Sequence, residues 1–107
     1  MTLAPTDIRS TLAALADETR WDILTALGRE ELSASALAGQ MPVTRQAIAK
    51  HLATLVAAGL VEPIRAGREV RYRALGARVS QVATELDAIG ADWDRRLRQI
   101  KRIAERT

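Results

Sequence analysis

Between Ser33 and Gly59 the chain is punctuated at intervals that leave room for two short helices and a tight bend. Ser33 and Thr44 are residues that cap helix N-termini, Pro42 breaks a helix, and Gly59 ends one. The spacing predicts a helix over about Ala34 to Gln40, with Leu37 and Met41 turned inward, then a turn through Val43. A longer helix follows from Thr44 to about Ala58. Two helices joined by so short a turn form a helix-turn-helix, and the second of them has the width to enter a DNA major groove.

The faces of that second helix agree with such a role. At 100° per residue, Ile48, Leu52 and Leu55 fall within about 60° of one another and make a core stripe. Gln46, Lys50, Ala53 and Ala57 lie opposite, flanked by Arg45 and Ala49. A helix pressed against base edges needs this profile, with a few long hydrogen-bonding side chains and little other bulk. Gln pairs in bidentate fashion with adenine, and Arg or Lys with guanine. Thr44 and the helix N-terminus suit a phosphate.

Two β segments follow, Leu60–Arg65 and Glu69–Leu75, joined by a turn at Ala66-Gly67. In the second, Val70, Tyr72 and Ala74 share one face while Glu69, Arg71 and Arg73 share the other. Pro63 suits an edge strand. Arg68 sits at or near the tip of this hairpin, which can lie along a DNA backbone as a wing.

Two helices precede this unit and one follows it. The first runs from about Asp7 to Leu15, with Thr6 as its cap and Ile8, Leu12 and Leu15 as an apolar stripe. The second begins after Asp17, with Trp21, Leu24 and Leu27 on its apolar face, Ile23 beside them and Gly28 as its stop. The last covers about Ala77 to Glu105, where Val82, Leu86, Ile89, Trp93, Leu97 and Ile100 approach a heptad seam. Gly90 interrupts that seam and is expected to weaken the helix. The expected fold is mainly α with a small β-hairpin wing, a single winged helix-turn-helix domain over 1–107. Its helix-turn-helix covers about 33–58, its wing 60–75 and its C-terminal helix 77–105.

Charge is unevenly placed. Residues 1–43 carry three Arg against six acids, residues 44–73 six basic side chains against two acidic ones, and residues 92–107 six against three. A basic centre suits a polyanion. The chain has no Cys, which removes disulfides, thiolate metal sites and Cys nucleophiles. No run of about 18 apolar residues exists to span a membrane, and Met1 to Ile8 do not read as a secretory signal. The expected location is the cytoplasm, without a membrane partner. No acid pair of catalytic geometry, nucleophile elbow or phosphate loop is present, so an enzyme is not expected.

Four stretches resemble one family. Ala14-Leu15-Ala16-Asp17-Glu18-Thr19-Arg20-Trp21-Asp22-Ile23-Leu24 resembles the "LADxTRxxIL" opening of ArsR/SmtB-type regulators. Thr44 to Leu55, with Ile48, Ala49, His51 and Leu52, is similar to their recognition helix. Gly59-Leu60-Val61 resembles their "AGLV", and Gly67-Arg68 with Val70 and Tyr72 resembles the "GRxVxY" of their wing. The resemblance covers about residues 8 to 76. It implies a homodimeric repressor of double-stranded DNA that pairs through its first and last helices and binds imperfect palindromes.

The residues expected at DNA are Thr44, Arg45, Gln46, Ala49, Lys50, Arg68, Arg71 and Arg73. Those expected at the dimer interface are Ile8, Leu12, Leu15, Leu86, Ile89, Trp93, Leu97 and Ile100. Ile8, Leu12, Leu15 and the seam offer more apolar surface than a monomer of this size easily buries. Many members of the family sense metals through Cys in the third helix, or His and acids in the last, and this chain departs from both patterns. Its only His, His51, lies in the recognition helix and reads as a structural or phosphate-contacting residue. Glu85, Asp87, Asp92 and Asp94 read as solvated faces and caps. No metal or cofactor is expected, and the sequence names no inducer. The alternative reading is a winged-helix module that binds another protein.

Overall fold

The structure, a computed structural model, describes residues 8–106. Helix α1 (Ile8–Leu15) is followed by α2 (Glu18–Leu27), strand β1 (Leu32–Ser33), α3 (Ala34–Gln40) and α4 (Arg45–Ala57). Strands β2 (Val61–Ala66) and β3 (Glu69–Ala74) form the wing, and α5 (Gly76–Arg106) completes the chain. Thr6, the expected cap of α1, lies outside the described residues.

Side-chain capping sets the helix starts. Asp17 Oδ1 accepts from Arg20 N at 3.0 Å, Ser33 Oγ from Ala36 N at 3.1 Å, and Thr44 Oγ1 from Ala47 N at 3.1 Å. Each satisfies an amide that the first turn of a helix leaves without a partner. At the far end of α4, Gly59 takes φ +74°. That left-handed residue lets Gly59 N–H donate to Val56 O at 3.0 Å and Leu60 N–H to Leu55 O at 3.1 Å. Leu55 and Leu60 are both buried, so the polar and apolar parts of this helix stop reinforce each other.

The core lies where α2, α3 and α4 meet the sheet. Ile23, Leu37, Ile48, Leu52, Leu55 and Leu60 are all fully buried. Ile48, Leu52 and Leu55 are the stripe expected of α4, and Leu37 is the inward residue expected of α3. On α2 the expectation is corrected. Ile23 and Leu27 are buried, Leu24 only partly, and Trp21 is 58% exposed. The helix has turned its largest side chain outward, because α4 and the sheet fit against its Ile23 edge.

On α1 the buried positions are Thr11 and Ala14, while Leu12 stays exposed and Ile8 and Leu15 half-buried. Thr11 is a polar residue in an apolar setting, and Arg78 Nη2 donates to its hydroxyl at 2.9 Å, tying α1 to the root of α5.

The sheet is antiparallel in the order β1-β3-β2. Its third strand was not expected from sequence. Leu32 and Ser33 pair with Tyr72 and Arg71. Pro63 sits on β2, an edge strand, where its missing N–H costs no ladder bond. The hairpin turn is corrected by one residue. Ala66 still pairs with Glu69, so Gly67 and Arg68 form the turn, and Gly67 takes φ +65° as the first residue of a II′-like turn requires. Tyr72 and Ala74 pack on the core, while Val70, near the tip, is exposed.

Helix α5 runs unbroken through Gly90 for 31 residues, about 46 Å at 1.5 Å per residue. Val82 is the one buried residue of α5.

Candidate nucleic-acid interface

Helix α4 presents the face expected of it. Arg45, Gln46, Ala49, Lys50, Ala53 and Ala57 are all exposed, on the side away from Ile48, Leu52 and Leu55. Thr44 is exposed at the N-terminus, with its oxygen engaged in capping Ala47. Arg68 stands exposed in the hairpin turn. Arg45 and Arg68 line one open groove, shared with Ser33, Ser35, Glu69, Val70 and Tyr72. The wing and the start of α4 therefore border one groove, although 23 residues separate the two arginines in the chain.

Arg71 and Arg73 are also exposed, but they have protein partners. Arg71 Nε pairs with Glu69 Oε2 at 3.1 Å, and Arg73 pairs with Glu62, its cross-strand neighbour. Solvated pairs of this kind hold with only about 0–1 kcal/mol, so a phosphate can displace the carboxylate. Arg45, Lys50, Arg65 and Arg68 carry no ion pair among those found in the described residues.

A second group of side chains links α4 to the first two helices. His51, half-buried on α4, has Nδ1 3.3 Å from Arg20 Nη1 and 4.0 Å from Asp17 Oδ1. A guanidinium only donates, so Nδ1 accepts and the ring proton belongs on Nε2. Arg20 Nε also donates to Ala14 O at 2.6 Å. One arginine thus joins the end of α1, the start of α2 and the middle of α4. The expectation of a structural role for His51 agrees with this placement. The signal for the rest, Asp17 and Arg20 in the "ADETR" run, was legible only as capping and family likeness.

The Asp17 carboxyl is held below its ordinary value of 3.8, chiefly by the hydrogen bond from Arg20 N. Desolvation opposes this, and the positive charge of Arg20, with that of His51 whenever its ring is protonated, assists it. A carboxylate whose native value is lowered adds stability that is complete above the unfolded value and is lost as pH falls towards the native one. Asp17→Asn is therefore expected to remove part of the acid-side slope of stability below about pH 4 and leave the slope near neutrality unchanged. Chemical denaturation at stepped pH measures this, and an unchanged acid slope would contradict it.

Among the described residues, no group of three or more His, Cys, Asp or Glu is placed to hold a metal ion. None of the described helices is long and apolar enough to cross a membrane.

A family model described as a helix-turn-helix domain matches residues 15–64. The structure is similar to an ArsR-like transcriptional regulator from Rhodococcus sp. RHA1, with 62% identity and a TM-score of 0.85 over 91% of this chain and 92% of that one. It is also similar to HlyU from Vibrio cholerae N16961, with 30% identity and a TM-score of 0.63 over 76% and 88% of the two chains. A third similar structure is the homodimeric winged helix-turn-helix DNA-binding domain of Mb0332 from Mycobacterium bovis, a possible ArsR-family regulator. That match has 26% identity and a TM-score of 0.65 over 79% of each chain. No curated protein matches the chain.

Proposed function

The chain belongs to the ArsR-like family of winged helix-turn-helix transcriptional regulators, and from that premise we propose that it works as a homodimeric repressor on an imperfect palindrome in a promoter. The observation that carries this reading is the outward face of α4, where Gln46 and Lys50 stand among alanines beside the Arg68 turn of the wing. In this reading α4 lies in the major groove with Gln46 and Lys50 at base edges and Ala49 allowing close approach. Thr44 and Arg45 hold the phosphates at its N-terminus. Arg68, Arg71 and Arg73 fasten the wing to the adjoining backbone.

Dimer formation is supported by the bare apolar residues outside the core. Leu12, Leu86, Ile89, Trp93, Leu97 and Ile100 are all exposed in the protomer. Ile8 and Leu15 are half-buried. A dimer presents two α4 helices to successive major grooves, which is why a palindrome is the expected operator.

Base contacts and backbone contacts separate by experiment. Gln46→Ala and Lys50→Ala are each expected to cost about 1–3 kcal/mol against the cognate duplex and far less against a scrambled one. Arg68→Ala and Arg71→Ala are expected to weaken binding to both duplexes and to lower the salt slope by about 0.9 for each phosphate no longer neutralised. Fluorescence anisotropy on DNA upstream of the protein's own gene, across a salt series, measures all four. Unchanged binding by the Gln46 and Lys50 variants would remove α4 from the reading role. No binding to either duplex at low salt would favour a protein partner instead.

A further inference from the structure

Helix α5 leaves the body of the protein as an arm. Every residue from 86 to 106 is exposed, and the molecule measures 69 Å along its longest axis. The arm has two unlike sides. Leu86, Trp93, Leu97 and Ile100 make the apolar one. At 100° per residue, Arg95, Arg98, Arg102 and Arg106 fall within about 80° of one another, on roughly the opposite side. They follow one another for about 16 Å along the helix axis. Whatever covers the apolar side therefore leaves this stripe of arginines facing outward.

The helix itself does not account for the stripe. Cations favour a helix C-terminus only within its last turn, and of the four only Arg106 stands there. Arg98 and Arg102, and again Arg102 and Arg106, are four residues apart, a spacing at which like charges oppose the helix. Arg95 shares Asp92 with Arg96 in exposed ion pairs of 3.2 and 3.6 Å. Arg98, Arg102 and Arg106 carry no ion pair among the described residues, nor does Lys101 beside them. Arg98, Lys101 and Arg102 border one open cleft with Glu105, three positive charges to one negative.

Resting on the DNA-binding reading above, we propose that this stripe is a second, sequence-independent seat for the phosphate backbone of duplex DNA, apart from α4 and the wing. Charge complementarity selects the occupant. All four residues of the stripe are arginine, whose planar fork matches the oxygens of a phosphate. A duplex carries a negative charge about every 1.7 Å of its axis, so a straight row of some 16 Å meets phosphates along its whole length. The scattered carboxylates of an acidic protein call for no such row. Occupation also relieves the repulsion within the stripe, because each arginine then faces an anion in place of its like-charged neighbour.

The test is the paired substitution Arg98→Gln/Arg102→Gln, which keeps good helix formers and leaves the apolar side untouched. A control pair, Arg29→Gln/Arg96→Gln, removes the same charge at exposed positions off the stripe. Fluorescence anisotropy across a salt series is run on the cognate and the scrambled duplex. The stripe pair is expected to lower the salt slope by about 1.8 for each arm engaged, equally on both duplexes, and to leave the preference for the cognate unchanged. The control pair is expected to leave the slope nearly as it was. In a Gln46→Ala/Lys50→Ala/Arg68→Ala background, weak binding to the scrambled duplex at low salt is expected to persist and to fall roughly tenfold or more when the stripe pair is added. A wild type that binds neither duplex would overturn the DNA-binding reading together with the stripe. A wild type that prefers the cognate, with a slope and residual binding that the stripe pair does not move, or moves no more than the control pair does, would overturn the stripe alone and favour an acidic protein as its occupant.

Discussion

A chain ending at Ala88 is expected to be monomeric in light scattering and to bind its operator about a thousandfold or more weaker than the whole protein. The weakening follows from what the removed segment carries. Ile89, Trp93, Leu97, Ile100 and Ile103 are between 45% and 65% exposed and touch none of the core, so the protomer forgoes little packing without them. Val82, the buried residue of α5, and the Arg78 bond to Thr11 are retained, and the body is expected to keep its helical spectrum. A dimer binding two half-sites gains both sets of base and phosphate interactions for one loss of free motion. A monomer makes half of them, and each base interaction forgone is worth about 1–3 kcal/mol. A truncated chain that still dimerises would show that α1 and the root of α5 suffice for the interface. One that is monomeric yet binds the operator at full strength would show that the dimer is not the DNA-binding form.

Leu52→Ala is expected to cost about 2–5 kcal/mol and to lower the melting temperature by more than about 10 °C. Leu52 is 1% exposed, on the inward face of α4 between Ile48 and Leu55. The neighbours of the cavity so made come from α2, α3 and the sheet, elements fixed by their own caps and ladders, so collapse into the space is limited. Against a total of about 5–15 kcal/mol for a small domain, that cost is large enough to melt the protein near 37 °C. DNA binding is expected to return on cooling, because the outward residues Gln46 and Lys50 are unchanged. A melting shift of only a few degrees would mean that Leu52 is not at the centre of the core.

The contrast between Leu52 and its neighbours shows what was legible beforehand. The inward and outward faces of α4 follow from helical period alone, and so do the residues offered to DNA. The caps Asp17, Ser33 and Thr44 and the stop at Gly59 were legible because their chemistry is local, with a hydroxyl, a carboxylate or a left-handed glycine acting within a few residues. The alternation of β3 was equally plain. The two-residue strand β1 was not, because it is too short to have a period and exists only where Tyr72 and Arg71 offer it an edge.

Trp21 was misplaced for a related reason. Trp21 and Ile23 are both apolar and neighbours on α2, and local chemistry does not say which of them α4 will meet. That depends on how two helices and a sheet fit together, and here the smaller side chain fits. The bond between His51 and Arg20 joins residues 31 positions apart, and that between Arg78 and Thr11 joins residues 67 apart. No local pattern encodes them. Sequence by itself determined the helices, their ends, the wing and the face of α4, since each depends on interactions within a turn or two of chain. The tertiary structure decided which side of α2 is core, which wing arginines carry a carboxylate partner and which apolar residues of α5 stay bare, since those depend on surfaces that meet only after the chain has folded.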